Sequence, residues 1–136
     1  MVIRYSYLWR SDYLRGLEEG QKDRPCAIIL AVDNASGGTT VTVLPITHRP
    51  PSGTGQAVEI PAATKRRLGL DDDRSWVVLT EANRFIWPGP DLRRVDPRNP
   101  GNYSFGELPH ALFIRIRNDF LAAARNRTAS MITRSQ

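Results

Sequence analysis

Apolar residues fall along this chain in short runs broken by turn formers, a pattern of strands more than of helices. Cys26-Ala27-Ile28-Ile29-Leu30-Ala31-Val32 is continuously apolar, bounded by Pro25 and by Asp33-Asn34-Ala35-Ser36-Gly37-Gly38, and predicts a buried strand ending in a turn. From Thr39 to Ile46, β-branched polar and apolar positions alternate, which predicts a hairpin partner with one face toward the core. Thr47 to Gln56 carries Pro50, Pro51, Gly53 and Gly55 and reads as a loop. Ala57 to Ile60 is a short strand, after which Pro61 and Gly69 bracket a brief helix from Ala62 to Leu68. Trp76 to Thr80 and Phe85 to Trp87 are further strands, separated by Glu81-Ala82-Asn83-Arg84. Prolines and glycines make Pro88 to Gly101 an irregular connection. Leu112, Phe113, Ile116, Phe120 and Leu121 recur at helical spacing, so Leu108 to about Arg125 is an amphipathic helix. It begins either at a capping box from Ser104 to Glu107 or with Pro109 in its first turn. These elements predict one mainly β domain with helices over residues 1–127, a small antiparallel barrel or rolled sheet closed by a C-terminal helix. Residues 128–136 are expected to be a frayed polar tail.

Composition sharpens this in two ways. The 136 residues suffice for one core, and a net charge of +5 with a pI near 10.0 favours a polyanionic partner. Lys22 and Lys65 are the only lysines, leaving 17 arginines among the 19 basic residues; arginine grips phosphate with two prongs and stacks on bases, though a GC-rich coding sequence gives the same bias. Cys26 is the single cysteine and reads as a buried structural thiol. Arg4 and Arg10 interrupt the start of the chain, and no apolar stretch approaches the ~20 residues that span a bilayer, so the expected setting is cytoplasmic, with no membrane contact. There is no G-x-S-x-G, H-E-x-x-H, G-x-x-x-x-G-K-[ST] or G-x-G-x-x-G, and no Cys/His cluster; Asp71-Asp72-Asp73 reads as a solvated turn. No metal or other cofactor is expected.

Two polar strand ends stand out. Glu19-Gly20-Gln21-Lys22-Asp23-Arg24-Pro25 runs into the first apolar strand, and Pro45-Ile46-Thr47-His48 closes its partner. With Trp9 upstream and the terminal helix downstream, this ordered set resembles the MazF/PemK family of toxin endoribonucleases. That family opens an apolar strand with Arg-Pro after a loop holding Gly and Glu, and ends a later strand in Pro-x-Thr or Pro-x-Ser. The resemblance implies an SH3-like small barrel of the MazF/PemK/CcdB type with a C-terminal helix. It also implies a homodimer, a cognate antitoxin and metal-independent cleavage of single-stranded RNA to 2′,3′-cyclic phosphate and 5′-hydroxyl ends.

By the same resemblance Arg24 and Thr47 carry the cleavage. Arg24 supplies a fixed cation for the phosphate and Thr47 a hydroxyl, while Glu19 or His48 handles a proton. Glu81, followed by Arg84, falls where some family members carry an acid and, three residues later, an arginine, and is a further candidate proton carrier. His48, Arg49, Lys65, Arg66 and Arg84 are candidate RNA contacts, with Arg67, Arg93, Arg94 and the aromatic residues Trp76, Phe85 and Trp87 nearby in sequence. Lys65-Arg66-Arg67 equally suits the C-terminal end of a helix dipole. Arg10 to Arg15 replaces the usual Asp/Pro-rich first loop. The alternative is a non-catalytic binder of the same fold, one that holds nucleic acid or targets gyrase as CcdB-like toxins do.

Overall fold

The continuously apolar run from Cys26 to Val32 is covered only over its first part: Cys26, Ala27 and Ile29 are buried, whereas Ala31 and Val32 are exposed, which corrects the expectation of a strand buried throughout. The computed structural model describes residues 1–20, 22–99 and 101–134. Its elements are β1 (Val2–Tyr5), α1 (Arg10–Leu14), β2 (Arg24–Asp33), β3 (Thr39–Thr47), β4 (Ala57–Glu59), α2 (Ala62–Leu68), β5 (Trp76–Val78), β6 (Glu81–Trp87), β7 (Leu92–Arg93), β8 (Ser104–Gly106), α3 (His110–Arg125) and β9 (Ser130–Thr133). The protein is mainly β, with its longest helix near the C-terminus.

The strands join in one sheet along the path β4-β5-β3-β2-β1-β7, with β6 on β3, β8 on β1 and β9 on β6. This path does not return on itself among the described residues. All pairings are antiparallel except β6 with β9. The β2–β3 register sets Cys26 opposite Pro45, so two more residues along each strand bring Arg24 level with Thr47. On its other edge β3 pairs first with β6, from Thr39 to Val43, and then with β5, at Ile46 and Thr47. Pro45 falls between those two ladders, where its missing N–H breaks neither.

Two apolar clusters lie on opposite faces. Val2, Ala27, Ile29, Leu44 and Ala82 pack toward Ile116 and Phe120 of α3 and Leu68 of α2, whereas Ile3, Tyr5, Cys26, Val41, Val43 and Phe85 form the second cluster. This burial corrects the expectation for β3: Val41 to Ile46 are all buried, so both faces of the strand are covered. Helix α2 runs from the residue after Pro61 to a left-handed Gly69 (φ 72°), as the punctuation predicts. Helix α3 starts after Pro109, and Ser104–Gly106 is strand β8 in place of a capping box. Within Pro88 to Gly101, Leu92 and Arg93 pair with Tyr5 and Arg4.

The tail expected to fray, residues 128–136, is ordered over 128–134, and residues 135–136 lie outside the described residues. Ser130–Thr133 runs parallel to Glu81–Arg84, Ile132 is buried, and the Arg134 guanidinium is enclosed. Arg134 Nη2 lies 3.0 Å from Asp91 Oδ1, and its Nη1 donates to the Ser6 carbonyl (2.8 Å) and to Asn83 Oδ1 (3.1 Å). A polar tail is ordered here because its charge finds partners inside the fold. No helix among the described residues is long and apolar enough to cross a membrane.

Candidate active site

The site begins with a clamped segment. Asn83, fully buried on β6, accepts from the Leu8 N–H and donates to the Leu8 carbonyl, both at 2.9 Å. Arg134 holds the Ser6 carbonyl, and Glu81 Oε1 accepts from the Arg10 N–H (2.9 Å) and the Tyr7 hydroxyl (3.1 Å). The next loop can lie close because residue 20 is glycine: a Cβ there would collide with the Tyr7 carbonyl oxygen. Trp9 is thereby fixed just before α1, in extended backbone and outside β1, with its ring edge against Tyr7 (5.2 Å).

Over that ring sits Arg24. Its guanidinium carbon is 4.8 Å from the Trp9 centroid, a cation–π contact. Among the described residues no carboxylate lies within ion-pair distance, and Nε is buried without an acceptor. Desolvation lowers the guanidinium pKa, with Cys26, Tyr7, Asp12 and Glu81 opposing it, yet arginine stays cationic. A half-buried, unpaired cation calls for an anionic ligand.

Arg24 lines a cleft of about 1060 Å³ together with Trp9, Asp12, Thr47, His48, Arg49 and Glu81. Thr47 Oγ1 accepts from the Arg49 N–H (3.1 Å), which leaves its hydroxyl proton for a ligand. His48 Nε2 lies 2.7 Å from Asp71 Oδ2, and Asp71 Oδ1 accepts from Lys65 Nζ at 2.6 Å. Lys65 also donates to Ser75 Oγ (2.6 Å) and to the Asp73 carbonyl. The Lys65 hydrogen bond, opposed by desolvation and aided by His48, holds the Asp71 carboxyl below its ordinary range. Burial pushes the Glu81 carboxyl up from its ordinary value, against the hydrogen bonds from Arg10 and Tyr7.

The cleft brings together Arg24, Thr47, His48, Arg49 and Glu81, but not every residue marked by the sequence. Glu19 is exposed on the 15–23 loop and does not line the cleft. Arg66 is exposed on α2 away from it. Arg84 lies three residues beyond Glu81; that odd spacing puts it on the other face of β6, where it donates to Thr133 Oγ1 (3.0 Å). Lys65 reaches the cleft wall but is 4% exposed and uses its ammonium internally. The residues sequence reasoning missed are Tyr7, Asn83, Asp71 and Arg134.

Replacing Lys65 with methionine should therefore cost about 2 to 3 kcal/mol, because its acceptors lose a charged donor. Thermal melting checks this, and an unaltered Tm would contradict it.

Ligand atoms of His48, Asp71 and Asp73 approach within 4.8 Å of one another, a spacing at which a cation can be shared. Here the Lys65 ammonium already occupies Asp71 Oδ1 and the Asp73 backbone carbonyl, so one of the three ligand groups is already engaged by an internal cation.

Glu81 makes a second test. Its folded pKa is raised, so the folded state binds more protons between the ordinary and raised values, and stability falls as pH rises through that window. Glu81→Gln keeps an oxygen for Arg10 and Tyr7 while removing the desolvated charge. Its Tm should equal or exceed the parent's at pH 7, with the advantage fading as pH falls toward the ordinary glutamate value. A Tm gap that widened on acidification would contradict this.

No family model matches the chain, and neither a curated protein nor a solved structure matches it.

Proposed function

We propose that this protein is a metal-independent endoribonuclease acting on single-stranded RNA, the toxin of a toxin–antitoxin pair resembling MazF/PemK. In this reading the open sheet and α3 correspond to an SH3-like small barrel with its C-terminal helix. The observation that carries it is Arg24: a cation stacked on Trp9, unpaired among the described residues, with one nitrogen buried and without an acceptor, in the same cleft as Thr47.

The chemistry follows from the groups present. The Glu81 carboxylate takes the proton of a ribose 2′-hydroxyl, whose oxygen attacks the adjacent phosphorus. Arg24 neutralises the charge that builds on the phosphorane oxygens, and Thr47 donates to one of them. The P–O5′ bond breaks, and the departing oxygen takes a proton, leaving a 2′,3′-cyclic phosphate and a 5′-hydroxyl. Two donors to Glu81 Oε1 favour the ionised form that this step needs, while its burial keeps it basic. Arg49 at the rim, with the net positive charge, attracts the strand. A homodimer and a cognate antitoxin belong to the same reading, and light scattering should return twice the 15.3 kDa chain mass at micromolar concentration. A monomer that cleaves would remove the dimer from this account.

Incubating the protein in EDTA with a labelled single-stranded RNA and its all-deoxy counterpart tests the activity. Cleavage of the RNA alone is expected. Tight binding of either strand without cleavage would favour the non-catalytic alternative.

A further inference from the structure

Cleaving RNA by transfer to the 2′-oxygen needs two proton carriers, since the entering oxygen loses a proton on one side of phosphorus and the leaving oxygen gains one on the other. The cleft wall formed by the end of β3 and the loop after α2 carries a second candidate, distinct from Glu81. His48 follows Thr47 directly and is exposed to the cleft, and its Nε2 is engaged by Asp71. That contact requires the proton on Nε2, which leaves Nδ1 as the nitrogen open to a substrate, and among the described residues nothing takes it.

Asp71 is itself not free to turn. Its other oxygen is held by Lys65, whose ammonium is enclosed and fully used by Asp71, Ser75 and the Asp73 carbonyl. A buried cation thus anchors a carboxylate, and the carboxylate anchors an exposed imidazole. This is the base-and-orienter logic of nucleophilic sites, with one more link behind it. A surface histidine needs no such support to remain solvated. Glu81, by contrast, receives two donors on one oxygen and has no such chain behind it.

We propose that His48 is the general acid that protonates the departing 5′-oxygen, with Asp71 and Lys65 as the residues that position its ring. The inference rests on the ribonuclease reading above. In the step His48 enters as the imidazolium, with one proton on Nε2 held by Asp71 and one on Nδ1. Glu81 accepts the 2′-hydroxyl proton, the 2′-oxygen forms its bond to phosphorus, the P–O5′ bond breaks, and the Nδ1 proton passes to the 5′-oxygen, leaving the neutral ring still bonded to Asp71 through Nε2.

The test uses two RNAs of one sequence, one normal and one with sulfur in place of the bridging 5′-oxygen at the cleaved linkage. A thiol is acidic enough to leave as its anion, so the sulfur substrate needs no general acid. His48→Gln should lower kcat on the oxygen substrate about a hundredfold and fall to within a few-fold of the parent on the sulfur substrate. Asp71→Asn should show the same selectivity at smaller size with KM unchanged, a response that loss of structure alone would not give. Glu81→Gln should be slow on both. A His48→Gln defect that persists on sulfur, or no defect on oxygen, overturns the assignment while the ribonuclease reading stands. A parent protein that cleaves neither RNA overturns both.

Discussion

Arg24→Ala should slow RNA cleavage by roughly 10² to 10³-fold, the scale on which enzymes respond to losing one donor aimed at developing charge. The expectation follows from where the guanidinium sits. Trp9 supports one face, and among the described residues no carboxylate within ion-pair range competes for its donors. Its charge is therefore available to the phosphorane without first breaking an internal pair, and the preorganisation is lost on truncation. RNA affinity should fall far less, because Arg49 and the general positive charge still attract the strand. Arg24→Lys should recover little: a point charge neither stacks on Trp9 in the same way nor presents two prongs. Single-turnover cleavage and equilibrium binding, measured on the same variant, separate these effects. A variant that loses binding and rate in equal measure would place Arg24 among ordinary phosphate contacts.

The largest stability effect should come from the other end of the chain. Arg134→Ala is expected to cost about 3 to 5 kcal/mol, since it leaves Asp91 as a nearly enclosed charge with no cation and strips one partner from buried Asn83. For a chain of this size that is a Tm drop of about 10 to 20 °C, read by circular dichroism. Asn83 also clamps both backbone groups of Leu8, one residue before Trp9, so the loss should extend to the segment beneath Arg24. A drop of less than about 3 °C would mean that this network contributes little.

How much of this was legible from sequence varies with the kind of signal. The β2–β3 hairpin, α2 between Pro61 and Gly69, and α3 all announce themselves through apolar period and punctuation, and the structure contains each. The shortest elements do not. Leu92–Arg93 and Ser104–Gly106 are strands only because β1 offers its backbone to both, a tertiary cause with no local pattern. Ser130–Thr133 has one buried apolar residue, Ile132, and depends on Arg134 finding acceptors far away in sequence.

The site divides along the same line. Arg24 and Thr47 could be placed at adjacent ends of one hairpin, although the bulge between Ile28 and Leu30 shifts by one the register that counting from the turn would give. Glu19 stands in a loop with no pattern to orient it, and the structure sets it outside the cleft lining. From sequence Glu81 to Arg84 reads as the connection between two strands, and only its place in β6 applies the alternation that sets Glu81 and Arg84 on opposite faces. Lys65 shares the inward face of α2 with Thr64 and Leu68, which sets it apart from Arg66 and Arg67. The roles of Asp71 and Asn83 were out of reach, since a carboxylate in an acidic turn and an asparagine in a strand acquire meaning only through partners remote in sequence.

Identifying the termini left on a single-stranded RNA cut in EDTA tests the central claim most directly, with a companion strand carrying one 2′-deoxy residue at the cleaved position. Mass spectrometry should find a 2′,3′-cyclic phosphate on one fragment and a 5′-hydroxyl on the other, and the deoxy companion should stay intact at that linkage. A 5′-phosphate end, cleavage that proceeds at the deoxy position, or an RNA left whole would contradict the account.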